Sequence, residues 1–360
     1  MTWRRVYPII QALLAAALFG VSTPLSKALL EGIRPIPLAA FLYLGSALGA
    51  MAWYGVQRLR NQEIETEASL SRIDLPWLAG ALLAGGVAAP VVLMFSLDAT
   101  PASTASLLLN FEGVATTLIA AALFREAIGR RIWWAIGLVT LASILLSWNP
   151  QGRFGVSFGA LGVLLACILW GLDNNLTRHI SAKNPVTIVA IKGFGAGLFS
   201  LLLALLTSSP FPTLLNVGGA MLLGSVSYGL SIVLFVLALR NLGAARTSAL
   251  FGSAPFIGSL LSFAIFHEVP GIRFIFSFLT MMGGVVLLVG EGHAHQHRHT
   301  PLAHEHSHRH DDEHHEHDHA VDEIPADSTH SHWHEHEETE HSHPHTPDIH
   351  HRHEHSDQPD

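Results

Sequence analysis

Residues 123–131 read LFREAIGRR and residues 265–273 read IFHEVPGIR. An offset of 142 lays Phe124 on Phe266, Glu126 on Glu268, Gly129 on Gly271 and Arg131 on Arg273. The same offset lays Leu97 on Leu239, Ala102 on Ala244, Ser106 on Ser248 and Leu108 on Leu250. Near an offset of 150, LFGVSTPLSK (18–27) answers LWGLDNNLTR (169–178), and Gly45 answers Gly195. Apolar composition alone does not repeat a Phe-x-Glu-x-x-Gly-x-Arg pattern at equivalent positions, so the chain reads as a duplication.

Each copy is a series of apolar runs. A bilayer core needs about 20 apolar residues per helix. Such windows fall near 6–28, 36–57, 75–97, 102–124, 132–149, 156–176, 186–206, 214–239, 243–266 and 272–290. Short linkers carry turn and charge signals, among them Arg34-Pro35, Asn184-Pro185 and Pro270-Gly271. The expected fold is an all-α membrane protein with ten transmembrane helices in two five-helix repeats, 6–149 and 156–290, followed by a His-rich tail, 291–360. The run after Arg4 and Arg5 is too long for a signal peptide, so it is read as a retained first span. Five spans per copy is an odd number. The second copy therefore enters from the opposite face, and the halves are inverted, which is the architecture of alternating-access carriers.

Composition agrees. The first 290 residues carry 27 charged side chains, about 9% and well below the share in soluble domains. So few charges cannot cover a water-facing surface, which excludes a soluble globular enzyme. The tail holds three basic against 18 acidic residues and 23 of the 25 histidines. No nucleic-acid partner is expected. With Cys167 alone, no intrachain disulfide can form. Arg and Lys positions favour a cytoplasmic N-terminus, with twelve on the inner segments against Lys27, Arg34, Arg153 and Arg273 on the outer ones. Ten spans then return the tail to the cytoplasm, in a multi-pass plasma (inner) membrane protein.

Ten spans, two five-helix repeats and a Glu closing the fourth and ninth spans resemble the drug/metabolite transporter superfamily, EamA type, over residues 6–290. That resemblance implies a permease with a central cavity lined by both halves. Members move amino acids, metabolites, nucleotide sugars or toxic compounds. Where the family often has Glu-Pro in the fourth span, this chain has Glu112-Gly113, and the equivalent pair in the ninth span is Ala254-Pro255.

An ionisable group within a span is costly and usually faces a cavity or a partner. Glu112 lies near the middle of the fourth span, two residues after Asn110, and its counterpart is Ala254. It reads as a cavity acid for a cationic group or a coupling proton, or as a hydrogen-bonded tie between helices. Asp173 and Lys192 are both missing from the first half, where Ser22 and approximately Leu42 stand. Their joint presence suggests a structural ion pair, a cytoplasmic gate or a substrate contact, with Asn174 and Asn175 beside it. Ser22, Thr23 and Pro24, with Pro90 and Pro255, mark helix breaks that can free backbone groups for a substrate. Trp170 matches Phe19, and either ring lines the cavity or packs. Glu126 and Glu268, beside Arg125 and His267, are expected to cap helices or to pair with Arg131 and Arg273. The expected substrate contacts are Glu112, Asn110, Asp173, Asn174, Lys192, Ser22 and Trp170.

The tail alternates His-x-His through His293, His295, His297, His299, then His304, His306, His308, His310, then His330, His332, His334, His336. Apolar residues are scarce, so the tail is expected to be disordered and the alternation is read as ligand spacing rather than as a strand. Neutral imidazole is a borderline ligand for zinc, nickel and cobalt, so the tail is expected to bind divalent metal. A pH-responsive solvated tail is the plainer alternative. No cofactor is expected to be required.

The function expected is secondary transport of a small organic solute. No Gly-x-x-x-x-Gly-Lys loop suggests nucleotide hydrolysis, so coupling to a proton gradient is the expectation. The alternatives are a divalent-metal exporter that uses the tail to collect ions and a membrane metal sensor without transport. The expected partners are the lipid bilayer, a small-molecule substrate and divalent metal ions, with a homodimer left open.

Overall fold

The computed structural model describes residues 3–59, 70–124, 129–149, 156–180, 183–242 and 250–289, and in the tail 293–299, 302–308, 330–336 and 339–345. Among the described residues the apolar spans are helical. Backbone polar groups have no water to bond in a bilayer, and a helix satisfies them within itself.

In the first copy the helices are α1 (Trp3–Gly20), α2 (Ser22–Leu29), α3 (Pro35–Leu59), α4 (Leu75–Ala81), α5 (Ala89–Asp98), α6 (Ala102–Leu108), α7 (Phe111–Phe124) and α8 (Arg130–Ser147). In the second they are α9 (Phe158–Arg178), α10 (Pro185–Leu206), α11 (Leu214–Leu223), α12 (Ser231–Leu242), α13 (Ala254–Phe266) and α14 (Ile272–Val289). Local chemistry sets several starts. Ser157 caps α9 by accepting from the Ala160 amide, and Asn184 caps α10 by accepting from Thr187, with Pro185 at the first helical position.

Eight helices among the described residues are long and apolar enough to cross a membrane, and they occupy the first eight expected windows. Two shorter apolar helices, Ala254–Phe266 and Ile272–Leu287, occupy the last two. The ninth window is cut because the chain turns at Gly252 and Ser253, and because 243–249 lie outside the described residues.

The expected helix breaks are present, each with a local cause. Pro24 cannot donate to the Gly20 carbonyl, and the chain kinks at Val21 between α1 and α2. Pro255 begins α13 after its turn. Pro90 follows a π-helical segment, Leu82–Ala88, that joins α4 to α5. A second π-helical segment, Gly224–Leu230, joins α11 to α12, displaced by the same 142 residues that align the sequence. At that offset α8 also matches α14, both 18 residues long.

Contacts between the two copies come in pairs. α3 packs on α10 and α8 on α14, each element against its own repeat counterpart. α5 packs on α9 as α12 packs on α1, and α7 packs on α9 as α13 packs on α1. Gly224–Leu230 lies on α3 as Leu82–Ala88 lies on α10. Glycine makes such close approaches possible, since a Cβ on Gly224 would stand 2.0 Å from the Leu42 carbonyl oxygen of α3.

In the tail, β1 (His293–His299) pairs antiparallel with β4 (Thr339–His345), and β2 (Leu302–His308) with β3 (His330–His336). This departs from the expectation of a segment without strands. The His-x-His alternation has the period of an extended chain, and a ladder pairs backbone groups without needing an apolar core. His310 lies outside the described residues.

Candidate functional site

Five of the residues singled out from the sequence, Glu112, Asp173, Asn174, Asn175 and Lys192, meet where side chains of α7, α9 and α10 converge. Asp173 is buried on α9, and the Lys192 ammonium from α10 reaches its carboxylate at 2.5 and 2.8 Å. Thr177, one turn along α9, donates to Asp173 Oδ1 at 2.9 Å and stands 3.3 Å from Lys192 Nζ. The pair is thus partnered on several sides, as a buried ion pair requires.

Beside it, Asn174 donates its side-chain amide to Glu112 Oε1 at 2.8 Å and contacts Thr116 Oγ1 at 3.2 Å. Asn175 donates to the Thr116 carbonyl at 3.0 Å and to the Gly171 carbonyl at 2.8 Å. Glu112 is half-buried and Asn174 exposed, so this polar pair is open while Asp173 is closed off. Glu112 comes from the first copy and Asn174 from the second, so the contact crosses between them.

A third group sits on the other side of Asp173. The Gly85 carbonyl lies in the first π-helical segment, where its donor would be the residue five places on. That residue is Pro90, which has no N–H. Tyr43 donates its hydroxyl to the carbonyl at 2.8 Å instead, and the Trp170 indole donates at 3.0 Å. Gly85 is also the only residue type that fits there, since a Cβ would stand 1.9 Å from Asp173 Oδ2. Trp170 is therefore a buried anchor for this carbonyl. Its repeat counterpart Phe19 packs edge-on against Tyr228, ring centroids 5.8 Å apart, and Tyr228 lies 5.9 Å from Tyr43.

The remaining predicted residues bond elsewhere. Asn110 is buried at the turn between α6 and α7, where its side-chain amide donates to the Leu107 carbonyl at 3.1 Å. Ser22 is buried at the start of α2 beside the Tyr228 hydroxyl. Glu268 is a cap, as expected, though of a helix in the other copy: its carboxylate accepts from the Ala102 amide at 3.0 Å and the Ser103 amide at 3.3 Å. Arg273 donates to the Trp148 carbonyl at 3.1 Å and not to Glu268. Glu126 lies outside the described residues. Sequence reading passed over Tyr43, Gly85, Thr116 and Thr177. Two signals were available, since Thr177 is one helical turn from Asp173 and Pro90 removes a donor from the preceding turn.

The model of the EamA-like transporter family matches residues 6–148 and again residues 157–290. The chain belongs to the EamA-like transporter family. Like other chains described by that family, this EamA-like protein is a multi-pass membrane protein whose membership points to transport rather than catalysis. An uncharacterized transporter of Methanothermobacter thermautotrophicus is 27% identical to it over 308 residues, which is 80% of this chain and 88% of the relative. A solved crystal structure, 16% identical, matches 77% of the EamA-like chain and 94% of its own with a TM-score of 0.56, a likeness of fold.

Among the described residues no group of three or more His, Cys, Asp or Glu side chains is gathered to hold a metal ion.

Proposed function

We propose that this EamA-like transporter is a secondary carrier of a small organic solute, built from ten spans in two inverted halves, 6–149 and 156–290. The observation that carries this reading is the pairing of contacts between the halves around one polar centre. Two halves related in this way can exchange conformations, so that a shared site opens first to one face and then to the other.

In this reading Glu112 and Asn174 meet the solute, since they bridge the halves and stay open. Glu112 takes a cationic group or the coupling proton. Asp173 and Lys192 neutralise each other when the site is empty and offer one charge of each sign when the pair is parted. Trp170 and Asn110 shape the wall and Ser22 lies at the far edge. The positive-inside bias supports a plasma (inner) membrane protein with both termini cytoplasmic. The tail binds divalent zinc, nickel or cobalt through His293, His295, His297, His299, His304, His306, His308, His310, His330, His332, His334 and His336, and regulates or buffers without supplying the cargo.

The test is counterflow in proteoliposomes, using full-length protein and protein ending at residue 290, with a panel of labelled amino acids and amines and, separately, labelled zinc and nickel. Organic-solute exchange that survives truncation is the expected result. Metal flux alone, lost on truncation, would make the chain a metal exporter. Flux of neither kind from either protein would leave a sensor.

A further inference from the structure

One seam between the halves lies away from the polar centre. It runs between α2 and α6 of the first half and α13 of the second. At its outer end stands Glu268. The α6 N-terminus begins after Pro101, which has no side chain able to cap it. Glu268 provides the cap from the opposite half, one carboxylate oxygen to the Ala102 amide and the other to the Ser103 amide, with the Ser103 hydroxyl bonded as well. His267, in the left-handed conformation at φ 53°, ends α13 and turns the chain so that Glu268 reaches across. Within the first half, the Lys27 ammonium at the end of α2 bonds the Leu97 carbonyl and, at 2.9 Å, the Asp98 carbonyl, holding the last turn of α5 just before α6.

Below this end the seam is lined by small polar residues. Ser259 donates to the Ser103 carbonyl at 2.9 Å. Gly258 lies so close that a Cβ would stand 2.6 Å from the Gly20 carbonyl oxygen and 2.9 Å from Ser106 Oγ. The hydroxyls of Ser106 and Ser26 are fully enclosed and have no hydrogen-bond partner. A buried hydroxyl without a partner is costly and needs an explanation. A permanently packed seam would replace such residues with alanine. A seam that is wetted in another state of the protein has a use for them.

We infer that Glu268 and Lys27 form a latch that closes one mouth of the transport path, and that the Ser26–Ser106 seam beneath it is part of that path, shut in this conformation. The inference rests on the carrier reading, because the seam must open and close in each cycle. Both latch residues act by holding helix ends together, so they are positioning residues.

The test places a reporter Ser106→Cys in the full-length chain with Cys167→Ala, and measures labelling by a membrane-impermeant maleimide in intact cells and in inside-out vesicles. With the latch intact, labelling is slow from both faces. Glu268→Ala raises the rate at least tenfold from one face only, and Lys27→Met, which leaves the Glu268 cap untouched, raises it from the same face. No rise with either variant, or an equal rise from both faces, overturns the latch. Solute counterflow on the same vesicles separates the two claims. One-sided labelling without flux leaves the latch standing and removes the carrier reading, whereas flux with unchanged labelling removes the latch.

Discussion

The Lys192 ammonium stands 2.5 Å from Asp173 Oδ1, and the two residues come from neighbouring helices of the same repeat, at positions where the other repeat has neither charge. Asp173 is buried and Lys192 partly so, and the loss of either leaves a charge without its partner inside the bundle. Removing one member of a buried pair costs about 3–5 kcal/mol, while replacing both with apolar residues is often neutral. Lys192→Met is therefore expected to lower the thermal midpoint markedly, and Asp173→Leu combined with Lys192→Met to recover most of it. Heating a fluorescent fusion in detergent and reading the remaining monodisperse peak measures both. If the double variant recovers stability but not solute exchange, the pair serves transport; if it recovers both, the pair is structural.

Glu112 offers a cleaner separation of charge from geometry. Glu112→Gln keeps an oxygen for the Asn174 amide to bond, so the fold is expected to stand within about 1 kcal/mol. The charge is gone, however. Solute accumulation driven by an imposed pH gradient is expected to fall at least tenfold. Full accumulation in the variant would exclude Glu112 as the proton or cation site.

The Gly85 carbonyl has two outside donors, and this predicts non-additive losses. Tyr43→Phe leaves the indole bond in place and Trp170→Phe leaves the phenol bond. Tyr43→Phe is expected to cost about 1 kcal/mol, as for one ordinary hydrogen bond. Together they strand a buried carbonyl, which adds about 1–3 kcal/mol beyond the sum of the singles. Gly85→Ala drives a methyl into Asp173 and is expected to cost about 1–3 kcal/mol by overpacking, with loss of the Lys192 contact. A double-mutant cycle on thermal midpoints reads the coupling, and strict additivity would contradict it.

The tail prediction concerns pH. Imidazole ligates metal only when neutral, and its ordinary pKa is about 6.5. Zinc or nickel bound to the full-length protein at pH 7.5 is expected to be released as pH falls through about 6, because protons then compete for each ring. Protein ending at residue 290 is expected to bind little at either pH. Equilibrium dialysis at several pH values measures this, and metal retained at pH 5 would point to acid ligands instead.

Much of this protein could be read along a single dimension. Span length depends on how many apolar residues run together, and duplication on matches at a constant offset; neither needs a third dimension. Prolines 24, 90 and 255 announced their breaks because a missing N–H disrupts its own turn. The ion pair was legible too, since two buried charges present in one repeat and absent from the other have reason to meet. What folding alone decided are the contacts that join distant turns of the chain. Glu268 caps a helix 166 positions earlier, and Trp170 reaches a carbonyl 85 positions earlier. The sequence ties each of these residues only to its neighbours and to its own repeat partner. Packing two halves face to face sets some helices on their own counterparts, as α3 on α10, but brings Glu268 and Trp170 against turns of the other copy that no shift of the sequence along itself aligns with them.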